Sequence, residues 1–205
     1  MSISTSLTIK GAVVVGSGAQ AVTFLHPKTG YLVKVARPIE WMEDQDILRE
    51  ALLQLLASVD GIAPKVYTWN NDALEIEMEY VPYKFIETVD SYLANDNWGA
   101  VRSLYYWAGV QLGKLHKLGL VHLDSHPKNW MVNEEGMPIL IDYGFAQETD
   151  DATLRVVDYT TCLYGDTTRG KAYVGLLGIV NDLDQEDKDD LEQCFAKGYL
   201  LGKEG

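Results

Sequence analysis

The chain has 205 residues, 47% of them apolar, and a formal charge of −13 from 17 basic against 30 acidic residues. That length suits one domain with a sizeable core, and scattered prolines and glycines exclude collagen-like or low-complexity classes. The acidic balance argues against nucleic-acid backbones and anionic membranes as partners. Cys162 and Cys194 fit no zinc pattern and form no disulfide framework. The first fifteen residues lack a basic stretch followed by a long apolar one, and no run nears the ~18 apolar residues of a membrane span. A soluble cytoplasmic protein is expected.

Alternation with glycine punctuation predicts strands near 8–15, 20–26 and 31–36. The period then changes, and 42–59 reads as a helix in which Leu48, Leu52, Leu55, Leu56 and Val59 share one face. Strand character returns at 64–69 and 74–80, and a short helix is expected over 84–94. Residues 98–117 give the clearest helix, with Val101, Leu104, Tyr105, Ala108, Leu112 and Leu115 in one stripe and Gly119 as its stop. VHLDSHPKNWMV and PILIDYG read as a short strand pair with polar residues between. Residues 158–180 are apolar enough to be buried and read as helical, and 184–201 as a last amphipathic helix whose acidic start is solvated. Trp98 and Trp130 are read as core residues.

Four constellations carry chemistry. Gly16, Ser17, Gly18, Ala19 and Gln20 form a glycine-rich turn between two strands, which fits a phosphate cradle or a plain hairpin. Lys34 lies inside an apolar strand, where an ammonium must find an anion or reach water. Glu50 follows sixteen residues later, off the leucine stripe; Glu43 is the rival partner, better placed for capping. Asp124 and Asn129 stand five apart in an irregular loop, and Asp142 ends the apolar run Ile-Leu-Ile, where a carboxylate needs a cation or donors. Read singly, each aspartate is more often a turn former.

Together, in order and spacing, these pieces resemble the protein-kinase signature set: glycine-rich loop, strand lysine, helix glutamate, Asp-x4-Asn and Asp-aromatic-Gly, with eighteen positions from Asp124 to Asp142. Met78 to Val81 resembles the segment joining the two lobes. The resemblance covers roughly residues 11–160 and implies an α+β, bilobal kinase-like fold. It would be one domain over 1–205, with a β-rich N-lobe carrying one helix (about 1–78), a hinge (about 79–83) and a short, mainly helical C-lobe (about 84–205). It implies ATP and Mg²⁺ as cofactors. Lys34 would hold the α/β-phosphates and Glu50 would orient Lys34. Asn129 and Asp142 would hold Mg²⁺, and Asp124 would take the acceptor's hydroxyl proton. Glu79, Tyr80 and Val81 would meet adenine, His122 and Tyr143 would stack in an internal spine, and Asp158 would anchor the catalytic loop.

Departures narrow the resemblance. Ala21 stands for the third glycine, as in RIO-type and KEOPS-complex kinases, and Leu32 stands where a small residue roofs the adenine. Four after Glu50 is the polar Gln54; four after Glu43 is the apolar Ile47. Leu123 replaces the arginine that reads a phosphorylated activation loop, and no Ala-Pro-Glu follows Gly144. His126 stands for a lysine, and HxDxHPxN is similar to the loop of aminoglycoside and choline phosphotransferases. At this size the whole chain most resembles minimal Hop-type bacterial effector kinases. That implies a Ser/Thr protein kinase acting in host cytoplasm, with a host heat-shock chaperone as protein substrate or another protein as activating partner. A pseudokinase or a small-molecule phosphotransferase are the alternatives.

Overall fold

The computed structural model describes residues 11–18, 21–37, 47–166 and 173–205. Its N-terminal part is built from β1 (Val13–Ser17), β2 (Ala21–Leu25), β3 (Leu32–Ala36), α1 (Ile47–Val59), β4 (Val66–Asn70) and β5 (Glu75–Met78). The strands form an antiparallel sheet in the order β1-β2-β3-β5-β4. Alternation along β3 and β5 sends Ala36, Ile76 and Met78 to the face that meets Ile47 and Ala51 of α1. Gly16 is needed in β1 because a Cβ there would crowd the Thr23 hydroxyl across the strand pair.

The rest is β6 (Tyr83–Lys84), α2 (Phe85–Ala94), α3 (Trp98–Lys117), β7 (Leu120–Val121), β8 (Trp130–Val132), β9 (Pro138–Leu140), β10 (Gln147–Glu148), α4 (Ala152–Tyr164), β11 (Gly165–Asp166), β12 (Tyr173–Val174) and α5 (Gln185–Glu204). β6, β8 and β9 make a small sheet, and β7 pairs with β10. The fold class is α+β, with a sheet-rich N-terminal region and helices beyond it. The described helices include none long and apolar enough to cross a membrane.

The expected stripe of α3 is buried throughout, from Val101 to Leu115. Asn97 caps the helix by accepting from the Ala100 amide at 3.2 Å, and Gly119 (φ +77°) follows its end. Phe85, Tyr105 and Trp130 pack as an aromatic group at the centre of the larger core, so Trp130 is a core residue; Trp98 is partly buried against the same core. α5 lies against α3 along glycines on both helices. A Cβ at Gly109 would overlap the Phe195 carbonyl, and one at Gly198 would overlap the Tyr106 carbonyl.

Two expectations need correction. The leucine stripe of α1 marks a helix but not its covered face. Leu52, Leu55, Leu56 and Val59 are exposed, while Ile47, Glu50, Ala51, Leu53, Gln54 and Ala57 are buried. Nor is 158–180 one helix. Asp151 caps α4 at its start through the Thr153 amide (2.7 Å), and the helix stops at Gly165 (φ +91°), giving way to β11, β12 and a 3₁₀ turn over Leu176–Val180. Gly175 packs against the backbone of Leu163 and Gly165 where no side chain fits, so the glycines end the helix instead of interrupting it.

Candidate functional site: an ammonium between two carboxylates

β3 and α1 bring Lys34 and Glu50 together. The Lys34 Nζ lies 2.5 Å from Glu50 Oε1 and 2.7 Å from Asp142 Oδ1. The Lys34 and Glu50 side chains are 12% and 10% exposed, but Asp142 keeps 43% of its side chain open to solvent. The two carboxylates compete for one ammonium. Burial opposes the charge on Lys34, but Glu50 and Asp142 outweigh it and hold the ammonium above its ordinary range. Burial likewise works against the Asp142 carboxylate, and Lys34 overrides it, so its pKa falls. Glu50 goes the other way: burial raises it, and the neighbouring Asp142 charge adds to this against the pull of Lys34. Glu43 lies outside the described residues. Gln54, the polar residue one turn beyond Glu50, is satisfied by the Pro64 carbonyl at 3.0 Å.

The loop after β7 presents Asp124. Asn129 donates through Nδ2 to the Asp124 carbonyl (2.8 Å) and to Asp124 Oδ2 (3.0 Å), closing the five-residue turn. The remaining Asn129 amide oxygen is a hard acceptor. The Ile141 amide donates to the Asn129 carbonyl at 2.9 Å, which brings Asn129 beside the residue preceding Asp142. Amide and carboxylate oxygens are the hard ligands that Mg²⁺ takes while keeping several waters. Burial raises the Asp124 carboxyl, partly opposed by His126, whose Nε2 is 3.8 Å from Asp124 Oδ2.

Below this loop lies a buried polar anchor. Asp158 on α4 is fully buried and accepts from the amides of His122 (2.7 Å) and Leu123 (3.0 Å), from Ser125 Oγ (3.0 Å) and from His116 Nε2 (3.0 Å). Burial disfavours its charge, and these donors reverse that, lowering its pKa. The Leu123 backbone is left-handed (φ +61°), a conformation that costs a non-glycine residue of order 1–3 kcal/mol and persists where its surroundings over-determine it. Asp158 supplies that constraint. The His122 Nδ1 accepts from the Asp124 amide, so its Nε2–H donates to the Ile141 carbonyl (3.1 Å). Its ring meets Tyr143 edge-on at 5.0 Å.

Several predicted site residues sit further out. Ser17 accepts from Arg37 Nη2 at 2.9 Å, and the Gly18 amide donates to the Ala21 carbonyl, closing the β1–β2 turn. Ala19 and Gln20 lie outside the described residues. The Glu79 amide is spent on the Lys65 carbonyl (2.8 Å), so of its main-chain groups only the carbonyl is left to meet a ligand; Tyr80 and Val81 follow it before β6. Leu32 stands opposite Met78 in the β3–β5 register and packs against the small sheet core. Sequence reasoning missed His116, Tyr199, Ser125 and Arg49. Ser125 lies within the loop motif, Tyr199 reads as part of the apolar face of the last helix, and His116 and Arg49 sit in helices with no signal beyond being polar.

A buried lysine shared by two carboxylates thus lies beside an Asp-Asn loop. No protein-family model matches the chain. Its sequence is similar to a cell division cycle 7-related protein kinase of Mus musculus, 30% identical over 112 residues that cover 53% of this chain and 19% of the mouse protein. It is also similar to cAMP-dependent protein kinase, catalytic subunit-like proteins of Caenorhabditis briggsae and Caenorhabditis elegans. Each is 29% identical over 136 residues, covering 64% of this chain and 33% or 32% of the relative. The chain thus spans at most about a third of the length of these curated relatives. This distant likeness supports a kinase-like superfamily.

Proposed function

We propose that the chain is a minimal, atypical Ser/Thr protein kinase that transfers the γ-phosphate of ATP to a protein hydroxyl. The observation that carries the reading is Lys34 held at 2.5 Å and 2.7 Å by Glu50 and Asp142. Lys34 would bind the α/β-phosphates, with Glu50 keeping its ammonium in place. Asn129 and Asp142 would hold Mg²⁺, which when bound neutralises phosphate charge. Asp124 would align the acceptor hydroxyl and take its proton as the new O–P bond forms and ADP leaves. Main-chain groups of Glu79 to Val81 would meet adenine, with 79–83 as a hinge between lobes of one domain. By likeness to Hop-type effectors, the acceptor to test first is a host heat-shock chaperone, and the working compartment is the host cytoplasm.

Transfer of label from γ-labelled ATP tests this, with wild type beside Asp124→Asn and Asp142→Asn and with chaperone and lysate as acceptors. Wild type should label protein. Asp124→Asn should lose about 10²–10⁴ in rate with ATP affinity kept, whereas Asp142→Asn should weaken Mg-ATP binding itself. Full activity in both variants would remove the assignment. His126 beside Asp124 favours a second reading, a small-molecule acceptor. ATP consumed without labelled protein would select it, and ATP neither bound nor consumed would leave a binding module.

A further inference from the structure

Arg49 precedes Glu50 on α1, and its Nη2 donates to the Ala146 carbonyl at 2.8 Å. Ala146 is buried and ends the turn that begins at Asp142, its amide donating back to the Tyr143 carbonyl. Beyond it the segment is pinned elsewhere. Gln147 and Glu148 pair with Val121 and Leu120, the Thr149 amide donates to the Gly119 carbonyl (2.7 Å), and α4 begins at Ala152. The far end of α1 is also fixed, because Gln111 Nε2 donates to the Gly61 carbonyl (2.8 Å) and the Leu140 amide to the Ile62 carbonyl (2.8 Å). Helix and turn therefore meet at two neighbouring residues: Glu50 reaches Asp142 through Lys34, and Arg49 reaches Ala146 directly.

We propose that Arg49 is a positioning residue that latches the Asp142–Ala146 turn to α1 and so keeps Asp142 and Glu50 on one ammonium. Its consequence for turnover rests on the phosphotransfer reading; the latch itself does not. A guanidinium donor on a carbonyl is a charge-assisted bond with fixed geometry. Because its acceptor is main chain, the latch needs no modified side chain to close. The left-handed backbone of Asp142 (φ +68°) makes the turn a conformation that its surroundings must hold.

The test compares full-length wild type with Arg49→Met, which keeps much of the apolar stem, and Arg49→Lys, which keeps a charged donor. Without nucleotide, Arg49→Met should speed amide hydrogen exchange at residues 143–148 while the α3 amides exchange as before. With nucleotide, it should raise KM for Mg-ATP about 10- to 100-fold, with a smaller change in kcat and the melting temperature little moved; misplacement of about 1 Å has effects of that size. Arg49→Lys should recover part of the loss. Unchanged exchange at 143–148 overturns the latch whatever the nucleotide does. Altered exchange with wild-type KM in Arg49→Met, or with a KM change that merely follows a fall in melting temperature, overturns the role in turnover. Wild type that binds no Mg-ATP, alongside altered exchange in the variant, instead overturns the phosphotransfer reading and the role in turnover that depends on it.

Discussion

Helix α1 and the α3–α5 pair handle burial in opposite ways. α3 and α5 bring backbone against backbone, with Gly109, Gly113, Gly198 and Gly202 leaving no room for a Cβ. Beside them Asp158 satisfies four donors in a site closed to water. α1 buries Glu50 and Gln54 and turns Leu52, Leu55 and Leu56 outward. Among the described residues, the small core beneath it has Ala36, Ile47, Ala51, Ile76 and Met78 as its buried members. The helical part thus holds the loop bearing Asp124 rigidly, and α1 serves mainly to place charged side chains. Close packing resists any added or removed atom, whereas an exposed stripe tolerates both.

The contrast can be broken at its strongest point by Asp158→Ala, which leaves His116 Nε2 and two amides without their acceptor and Ser125 Oγ with only the main-chain carbonyl at that position. Urea unfolding should show a loss of about 3–5 kcal/mol. The depressed pKa fixes the sign of the pH dependence. The stabilisation is complete above the ordinary aspartate value near ~3.9 and is lost as pH falls from there through the lower folded value. The gap between wild type and variant should therefore narrow in acid. Next in size, Gly198→Ala drives a methyl into the Tyr106 carbonyl and should cost about 1–3 kcal/mol or more by the same measurement. At the other end, Leu56→Gln on the outward face of α1 should change stability by no more than about 0.5 kcal/mol. A larger loss there would mean that the stripe is covered in solution.

Much of this was legible from residues alone. The sheet-then-helix order of the N-terminal half, the α3 stripe and the pairing of Lys34 with Glu50 all follow from patterns with a local or signature basis. The failures share a physical cause. Periodicity says which α1 residues share a face, but the sheet and the Lys34 ammonium decide which face is covered. Composition says that 158–180 is buried, but Gly165 and the approach of Gly175 decide that it folds back on itself. The network of Asp158 with His116, and of His116 Nδ1 with Tyr199 at 2.7 Å, joins residues up to 83 positions apart and leaves no trace in any local window. Arg49 was hidden for a similar reason: its partner is a main-chain carbonyl, which no side-chain motif reports.

The bond between Lys34 and Asp142 spans 108 residues of chain. A ribosome adding ~5–20 residues per second delivers the second partner roughly 5–20 s after the first. During that interval, of its two partners in the folded protein only Glu50, sixteen residues away, has been made, and the carboxylate proposed to take the metal has yet to be added. Closing the longer loop adds a chain-entropy cost that grows only slowly with its length. The order in which the partners become available is therefore set by synthesis, and a nascent chain stalled before residue 142 could not complete the site.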